Sequence, residues 1–311
     1  MTKRERTSLI VVVLVVVVGA LVALAGSQDG ATVGGVPVFA LAAAAAFVIQ
    51  WIVFVPSYLR GTERFYDLTG SLTYIVVTVG VMVLSGADDV RSWVLAAMVV
   101  LWAARLGAFL FVRVSRSGGD DRFDELKTSW PRFLVTWTVQ GLWVTLTAAA
   151  AWVAITAESR PAFDWLAWVG VALWVLGLGV EAVADAQKSR FKADPANEGR
   201  FIRTGLWSRS RHPNYFGEIV LWVGVAVVAA PAFVGWQWVA IISPVFVTLL
   251  LLRVSGIPCW RRRPTIAGAA TRTTRSTSAR RRCWSRVPEP AGPDPSRRPS
   301  RCGWFEGEVP P

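Results

Sequence analysis

Long apolar runs constrain this chain more than any other feature, because a run of bilayer length has few places to go in water. Such runs recur near residues 8–26, 37–58, 69–86, 92–112, 133–156, 163–186, 215–230 and 233–252. Each approaches the ~20 residues with which an α-helix crosses a hydrocarbon core. Inside lipid every backbone N–H and C=O must be paired within its own segment, which favours helices. The expected fold is therefore all-α: a polytopic integral membrane bundle of about eight transmembrane helices. The last two runs are joined only by Ala229-Ala230-Pro231-Ala232 and are read either as two short spans or as one bent one. Residues 1–258 form the membrane domain.

The first run follows Lys3, Arg4 and Arg6 and closes on Ala-Leu-Ala-Gly, much as a cleaved signal does. Its apolar part exceeds the ~7–15 residues of a signal core, and further spans follow, so it reads as a span. Basic residues cluster in alternate connections. Arg60 and Arg64 follow the second run; Arg113, Arg116, Arg122, Lys127 and Arg132 follow the fourth; Lys188, Arg190, Lys192, Arg200, Arg203, Arg209 and Arg211 follow the sixth. The other connections hold only Arg91 and Arg160. By the positive-inside rule this predicts both termini, and every motif-rich loop, on the cytoplasmic face of the cell membrane.

Residues 259–311 have a different composition. They carry 12 of the 33 Lys and Arg residues, only 4 of the 21 Asp and Glu, 8 of the 17 prolines and all three cysteines. With no apolar periodicity, the stretch is expected to be disordered. An Arg-rich tail suits anionic lipid; without a folded platform or regularly spaced aromatic residues, nucleic acid is not an expected partner. A shift of reading frame near Pro258 is a further explanation, and the genetic code supports it. Joining the last base of each codon to the first two of the next turns Cys259-Trp260 and Cys283-Trp284 into leucine, and permits an acidic, aromatic string in place of the basic one.

The chemistry is concentrated between the sixth and seventh runs. Glu181 and Asp185 are four residues apart and share a helix face, which Lys188 continues. Ionisable groups at such depth are costly unless they face protein or water. A turn-rich stretch around Asn197 leads to Arg203, Arg209, Arg211 and His212, and Pro213 then opens the seventh helix. A helix start with free N–H groups and three nearby arginines suits a phosphate-bearing cofactor. Glu218, four residues after Asn214, lines the same face and requires a donor. His212 is the single histidine and the membrane domain lacks cysteine, so no metal site is expected. The small residues Gly170, Gly177 and Gly179 suit close helix packing, within one chain or between two.

The segment Glu181–Gly224, above all FKADPANEGRFIRTGLWSRSRHPNYFGEI, resembles the C-terminal domain of the steroid 5α-reductase family, in its bacterial multi-span branch. A weaker resemblance at ERFYDLTGSLTYI and RLGAFLFVRVSRSGGDDRFDEL extends it over most of residues 45–258. It implies NADPH-dependent reduction of a carbon–carbon double bond conjugated to a carbonyl, in a lipid-like substrate of steroid or isoprenoid type. Asp185, Asn214 and Trp222 match cofactor-contacting positions, and Gly217 and Glu218 match the family's Gly-Glu pair. Glu181 stands where the steroid enzymes tend to carry asparagine. Members of this family end in an acidic, aromatic stretch like that of the alternative frame. The glutamate-and-tyrosine pair that holds the steroid carbonyl in the eukaryotic enzymes has no clear counterpart here.

The candidate catalytic residues are Tyr74, as donor to the substrate carbonyl, Tyr66 as second choice, and Glu218. Candidate cofactor contacts are Glu181, Asp185, Lys188, Asn197, Arg203, Arg211, His212, Asn214, Tyr215, Trp222 and Arg105. Arg105 lies in the middle of the fourth run and is expected to pair with Asp67 or with cofactor phosphate. The pattern Arg211-His212-Pro213-x-Tyr215-x-Gly217 also resembles membrane methyltransferases of the isoprenylcysteine and phospholipid type, which use S-adenosylmethionine. An inactive membrane protein is the third reading, since the altered end would leave the cofactor site open.

Overall fold

The computed structural model describes residues 1–117 and 123–255; Arg122 and the stretch 259–311 lie outside the described residues. Among the described residues, eight helices are long and apolar enough to cross a membrane. They are α1 (Lys3–Gly26), α2 (Val38–Leu59), α3 (Tyr66–Ser85), α4 (Val90–Ser117), α6 (Trp130–Thr156), α7 (Trp165–Ala193), α8 (Pro213–Ala229) and a final composite span. That last span, Gly235–Arg253, begins in a 3₁₀ stretch, continues through α9 (Ile242–Leu249) and ends in a π-helical turn. The runs on either side of Ala229–Ala232 are thus two candidate spans rather than one bent one. A four-residue helix, α5 (Asp124–Lys127), precedes α6. The only described sheet is a two-stranded hairpin, Thr32–Val33 against Val36–Pro37.

Local chemistry fixes several helix ends. Thr2 and Glu5 form a reciprocal cap on α1: the Thr2 N–H donates to Glu5 Oε2 at 2.8 Å, and the Glu5 N–H to Thr2 Oγ1 at 3.3 Å. Asp164 caps α7 by accepting from the Ala167 N–H at 3.1 Å. Gly86 ends α3 in the left-handed conformation, which glycine adopts without steric cost.

α6 is the central post. Its residues Val144–Thr156 are all buried, and it packs against α1, α2, α3, α4, α8 and α9. α1 is peripheral; its buried residues are Gly19, Val22, Ala23 and Gly26, all in its second half.

The two ends of the bundle are tied differently. At the end where α1 finishes, Arg91 donates to the carbonyls of Val228, Pro161 and Ala162 and pairs with Asp164. Arg160 meets Asp89 at 2.9 Å, and Gln237 bonds the Gln28 carbonyl. At the opposite end Lys127 meets Glu63 at 2.6 Å. The loop between α7 and α8 lies at this second end.

α7 and α8 are the most intimate pair, and glycine is the reason. A Cβ on Gly177 would lie 2.5 Å from the Gly217 carbonyl oxygen, and one on Gly170 2.8 Å from the Gly224 oxygen. The reverse contacts are as tight: Gly217 and Gly224 would each meet the facing glycine's oxygen at 2.6 Å. Two glycines seven residues apart on each helix therefore mate antiparallel, backbone on backbone. Gly170 and Gly177 do pack within the chain, whereas Gly179 faces open space with nothing within 4 Å.

Candidate active site

The glycine seam places polar groups where apolar ones would otherwise be. Glu181 stands one turn beyond Gly177, and Glu218 directly follows Gly217. The site is built from this pair of helices together with α3, α4 and α6.

Arg105, projecting from α4, forks between two carboxylates of α7. Its Nη1 donates to Glu181 Oε1 at 2.6 Å and its Nη2 to Asp185 Oδ2 at 2.7 Å. Both acids are buried. The planar guanidinium can serve two acids one helical turn apart, and the ionised pairs satisfy each other where water is scarce. Of the two expected partners, Asp67 and cofactor phosphate, Asp67 gives way here to Glu181 and Asp185. The reason is geometric: the two acids share one α7 face and offer oxygens to both arms of the fork. Asn214, at the start of α8, adds a long bond from Nδ2 to Asp185 Oδ1 at 3.4 Å.

Two acceptors in this cluster remain unused. Glu181 Oε2 and Asn214 Oδ1 are buried and have no hydrogen-bond partner among the described residues. Glu218 lies within electrostatic reach of Glu181, Asp185 and Arg105, with no hydrogen-bond partner among the described residues. One guanidinium thus faces three carboxyl groups. Buried polar atoms are nearly always paired, so a group of orphans at one place marks a place for something else.

A layer of aromatic rings lies next to the charged cluster. Trp102, one turn before Arg105 on α4, stacks edge-on against Trp222 of α8 at 4.9 Å and against Tyr74 of α3 at 5.1 Å. Tyr74 Oη, Trp102 Nε1 and Trp222 Nε1 are all buried without a partner. Thr147 of α6 approaches the Tyr74 hydroxyl, but both oxygens fall outside hydrogen-bonding geometry. Glu218 is also within electrostatic reach of Tyr74 and so connects the charged cluster to the aromatic floor.

The loop ahead of α8 is fastened to α7. Trp207 Nε1 donates to the Ala184 carbonyl at 3.0 Å, and the Leu206 N–H donates to Gln187 Oε1 at 3.0 Å. Gly205 is left-handed, with φ +60, and a Cβ there would collide with the Gln187 amide at 2.5 Å. Lys188 lies over the Trp207 ring at 5.3 Å. His212 stacks on Tyr215 at 4.8 Å. Partial burial, then the Lys188 and Arg211 cations, hold the His212 imidazole below its usual pKa. Arg203 and Arg211 are exposed in this loop.

Of the residues singled out in the sequence, Arg105, Glu181, Asp185, Asn214, Glu218, Trp222 and Tyr74 come together. Lys188, His212, Tyr215, Arg203 and Arg211 form the rim of the loop. Asn197 is occupied within its own turn, donating to the Phe191 carbonyl and to Asp194. Tyr66 lies elsewhere: its hydroxyl donates to the Thr136 carbonyl at 3.1 Å, and its ring packs with Phe123 and Trp137. Sequence reasoning overlooked Trp102, Thr147 and Gln187. Trp102 was accessible, because it stands three residues before Arg105 and so shares its face.

Eight candidate spans and a buried charged cluster against an aromatic floor define a multi-pass membrane protein with a buried polar cluster inside the bundle. The chain belongs to the family described as Protein of unknown function (DUF1295), whose model matches residues 53–266; this is the steroid 5α-reductase-like family. Over 186 residues it is 24% identical to an uncharacterized protein of Schizosaccharomyces pombe, covering 49% of this chain and 54% of that protein. Over 82 residues it is 33% identical to the steroid 5-alpha-reductase DET2 of Gossypium hirsutum, covering 26% of this chain and 30% of that one. The chain thus spans about half the length of the first relative and under a third of the second. No solved structure matches it.

Proposed function

We propose that this protein is a membrane reductase that uses NADPH to reduce a carbon–carbon double bond conjugated to a carbonyl, in a lipid-like substrate. One observation carries the reading: the Arg105–Glu181–Asp185–Asn214 constellation keeps two buried acceptors without partners among the described residues, next to a loop rich in cations. Ribose hydroxyls and a carboxamide NH₂ are donors that Glu181 Oε2 and Asn214 Oδ1 would satisfy. Phosphates suit Arg203, Arg211 and Lys188 at the rim, next to the free N–H groups of the α8 start. These residues fit a pyridine dinucleotide, and the family resemblance agrees.

Bound NADPH supplies the hydride. The protein's own groups do the rest. Tyr74 Oη donates to the substrate carbonyl oxygen as negative charge gathers there. Glu218, between the charged cluster and Tyr74, carries the proton destined for the α-carbon. The Trp102–Trp222 floor excludes water and keeps the electrostatics strong. The motif loops face the cytoplasm, where the cofactor is available, and the membrane is the cell membrane.

We further propose that the frame changes near Pro258, and that the stretch 259–311 leaves the cofactor site incompletely covered. The family match ends at 266, inside the Arg-rich stretch. Equilibrium titration of the purified protein with NADPH and with S-adenosylmethionine tests the main reading. NADPH is expected to bind, weakly in this chain and more tightly after the other frame is restored. Binding of S-adenosylmethionine in its place would make the protein a methyltransferase; binding of neither to either form would leave it without cofactor chemistry.

A further inference from the structure

At the same end of the bundle as the α7–α8 loop, but sharing no residue with the cluster above, lies an open surface hollow of about 570 Å³. Lys3, Arg4, Thr7 and Ser8 of α1 and Arg132 of α6 line it. Three cations and two hydroxyls from helices far apart in sequence thus converge on one hollow. Lys3 and Arg4 have no carboxylate partner among the described residues, and Arg132 meets only the exposed Glu125, at 3.8 Å. Glu5, the acid of the same turn, is engaged elsewhere: its Oε2 accepts from the Thr2 N–H and its Oε1 from Ser129 Oγ.

Packing explains why the hollow exists. No residue of α1 before Gly19 is buried. The first half of the helix is half-buried along one face and meets the start of α6 through the Glu5–Ser129 hydrogen bond, and its fully buried residues begin at Gly19, fitted against Phe47. Below the cations, α1 presents Ile10, Val13, Leu14 and Val17 outward. Charge at the level of the headgroups above an apolar lane is the complement of one ligand type.

We propose that this hollow binds the headgroup phosphate of an acidic phospholipid, whose acyl chains lie along the outward apolar face of α1. Lys3, Arg4 and Arg132 pair with the phosphate, and the Thr7 and Ser8 hydroxyls donate to its oxygens. A basic site at a membrane surface attracts any anionic lipid in general. Here the cations come from two helices around a defined hollow, so the lipid also ties α1 to the bundle. The inference is independent of the reductase reading.

The test uses the full chain purified in neutral detergent. Native mass spectrometry compares retention of phosphatidylglycerol and phosphatidylcholine with matched acyl chains. Phosphatidylglycerol is expected to be retained preferentially. Loss of two interfacial cations in Lys3→Gln/Arg4→Gln should weaken that retention about 30-fold, with NADPH binding unchanged. Ser8→Leu fills the hollow without altering charge and is expected to lose the lipid as well; it decides the matter if the double variant fails to fold. Equal retention of the two lipids, or retention unaffected by these variants, would overturn the proposal. Displacement of phosphatidylglycerol by excess inorganic phosphate would reduce the site to a simple anion site and equally overturn it.

Discussion

Gly177 and Gly217 stand so close that a Cβ on either would lie 2.5–2.6 Å from the other's carbonyl oxygen. The same contact sets the depth of Glu181 and Glu218, one on each helix. Overpacking of a tight contact costs ~1–3 kcal/mol. Gly217→Ala should therefore lower the melting temperature in detergent and weaken NADPH binding together. Gly179→Ala, facing open space, should change neither; a Gly179→Ala defect as large as that of Gly217→Ala would contradict the seam.

Arg105 holds two acids at once. Arg105→Gln leaves both buried carboxylates unpaired, a change that costs ~3–5 kcal/mol where a buried ion pair is broken. Since Arg105 is partly exposed, the lower part of that range is expected. Arg105→Lys keeps the charge but loses the fork, so it should fold and yet bind NADPH about tenfold more weakly. Thermal melts and cofactor titrations on the two variants separate the roles.

Tyr74 donates to nothing in the structure, and its ring is fixed by Trp102. Tyr74→Phe should leave stability and NADPH affinity near normal while turnover of a conjugated carbonyl falls about 100-fold. Tyr66→Phe should lose the bond to the Thr136 carbonyl and cost stability, with turnover per folded molecule unchanged. Reversal of these two outcomes would transfer the donor role to Tyr66.

His212 is expected to make cofactor binding depend on pH. Its pKa lies below the ordinary 6.5 because of partial burial and the Lys188 and Arg211 cations. The unfolded chain then takes up its proton first, so this contribution to stability is complete above pH 6.5 and declines as pH falls through that value toward the folded pKa. Anionic phosphate at the rim would restore the basicity of His212, so NADPH binding should take up a proton and tighten on acidification. His212→Gln should flatten that profile. A titration slope identical in wild type and variant would remove His212 from the cofactor rim.

A DNA read across codons 250–290 decides the frame proposal, and the accompanying expectation is biochemical. The chain with the alternative frame after Pro258 should bind NADPH more tightly than the chain as written. Equal affinity would mean that the ending does not matter to the site.

Much of the architecture was legible because lipid leaves so few options. Runs of Val, Leu and Ala gave the spans, and only the junction at Ala229–Ala232 needed the structure to show two candidate spans. Charges inside apolar runs announced that Arg105, Glu181, Asp185 and Glu218 required partners. That Arg105 would pair with Glu181 and Asp185 while Glu218 found no hydrogen-bond partner among the described residues was not legible, because α4 meets α7 through tertiary packing that no local pattern encodes. Asp67 was as plausible in sequence as Glu181. Tyr66 and Tyr74, eight residues apart on one helix, diverged because one ring joined the Phe123–Trp137 cluster and the other joined Trp102. Thr147 gave no signal at all, being one hydroxyl in an alanine-rich stretch.

The acids and Asn214 ride on a single glycine-zipped hairpin, while Tyr74 and Trp102 belong to the α3 and α4 pair that faces it. Such a split works like an interchangeable tool head on a common handle. On the proposed function, a lineage can exchange residues along α3 and α4, and with them the greasy molecule accepted, without redesigning the half proposed to grip the nucleotide.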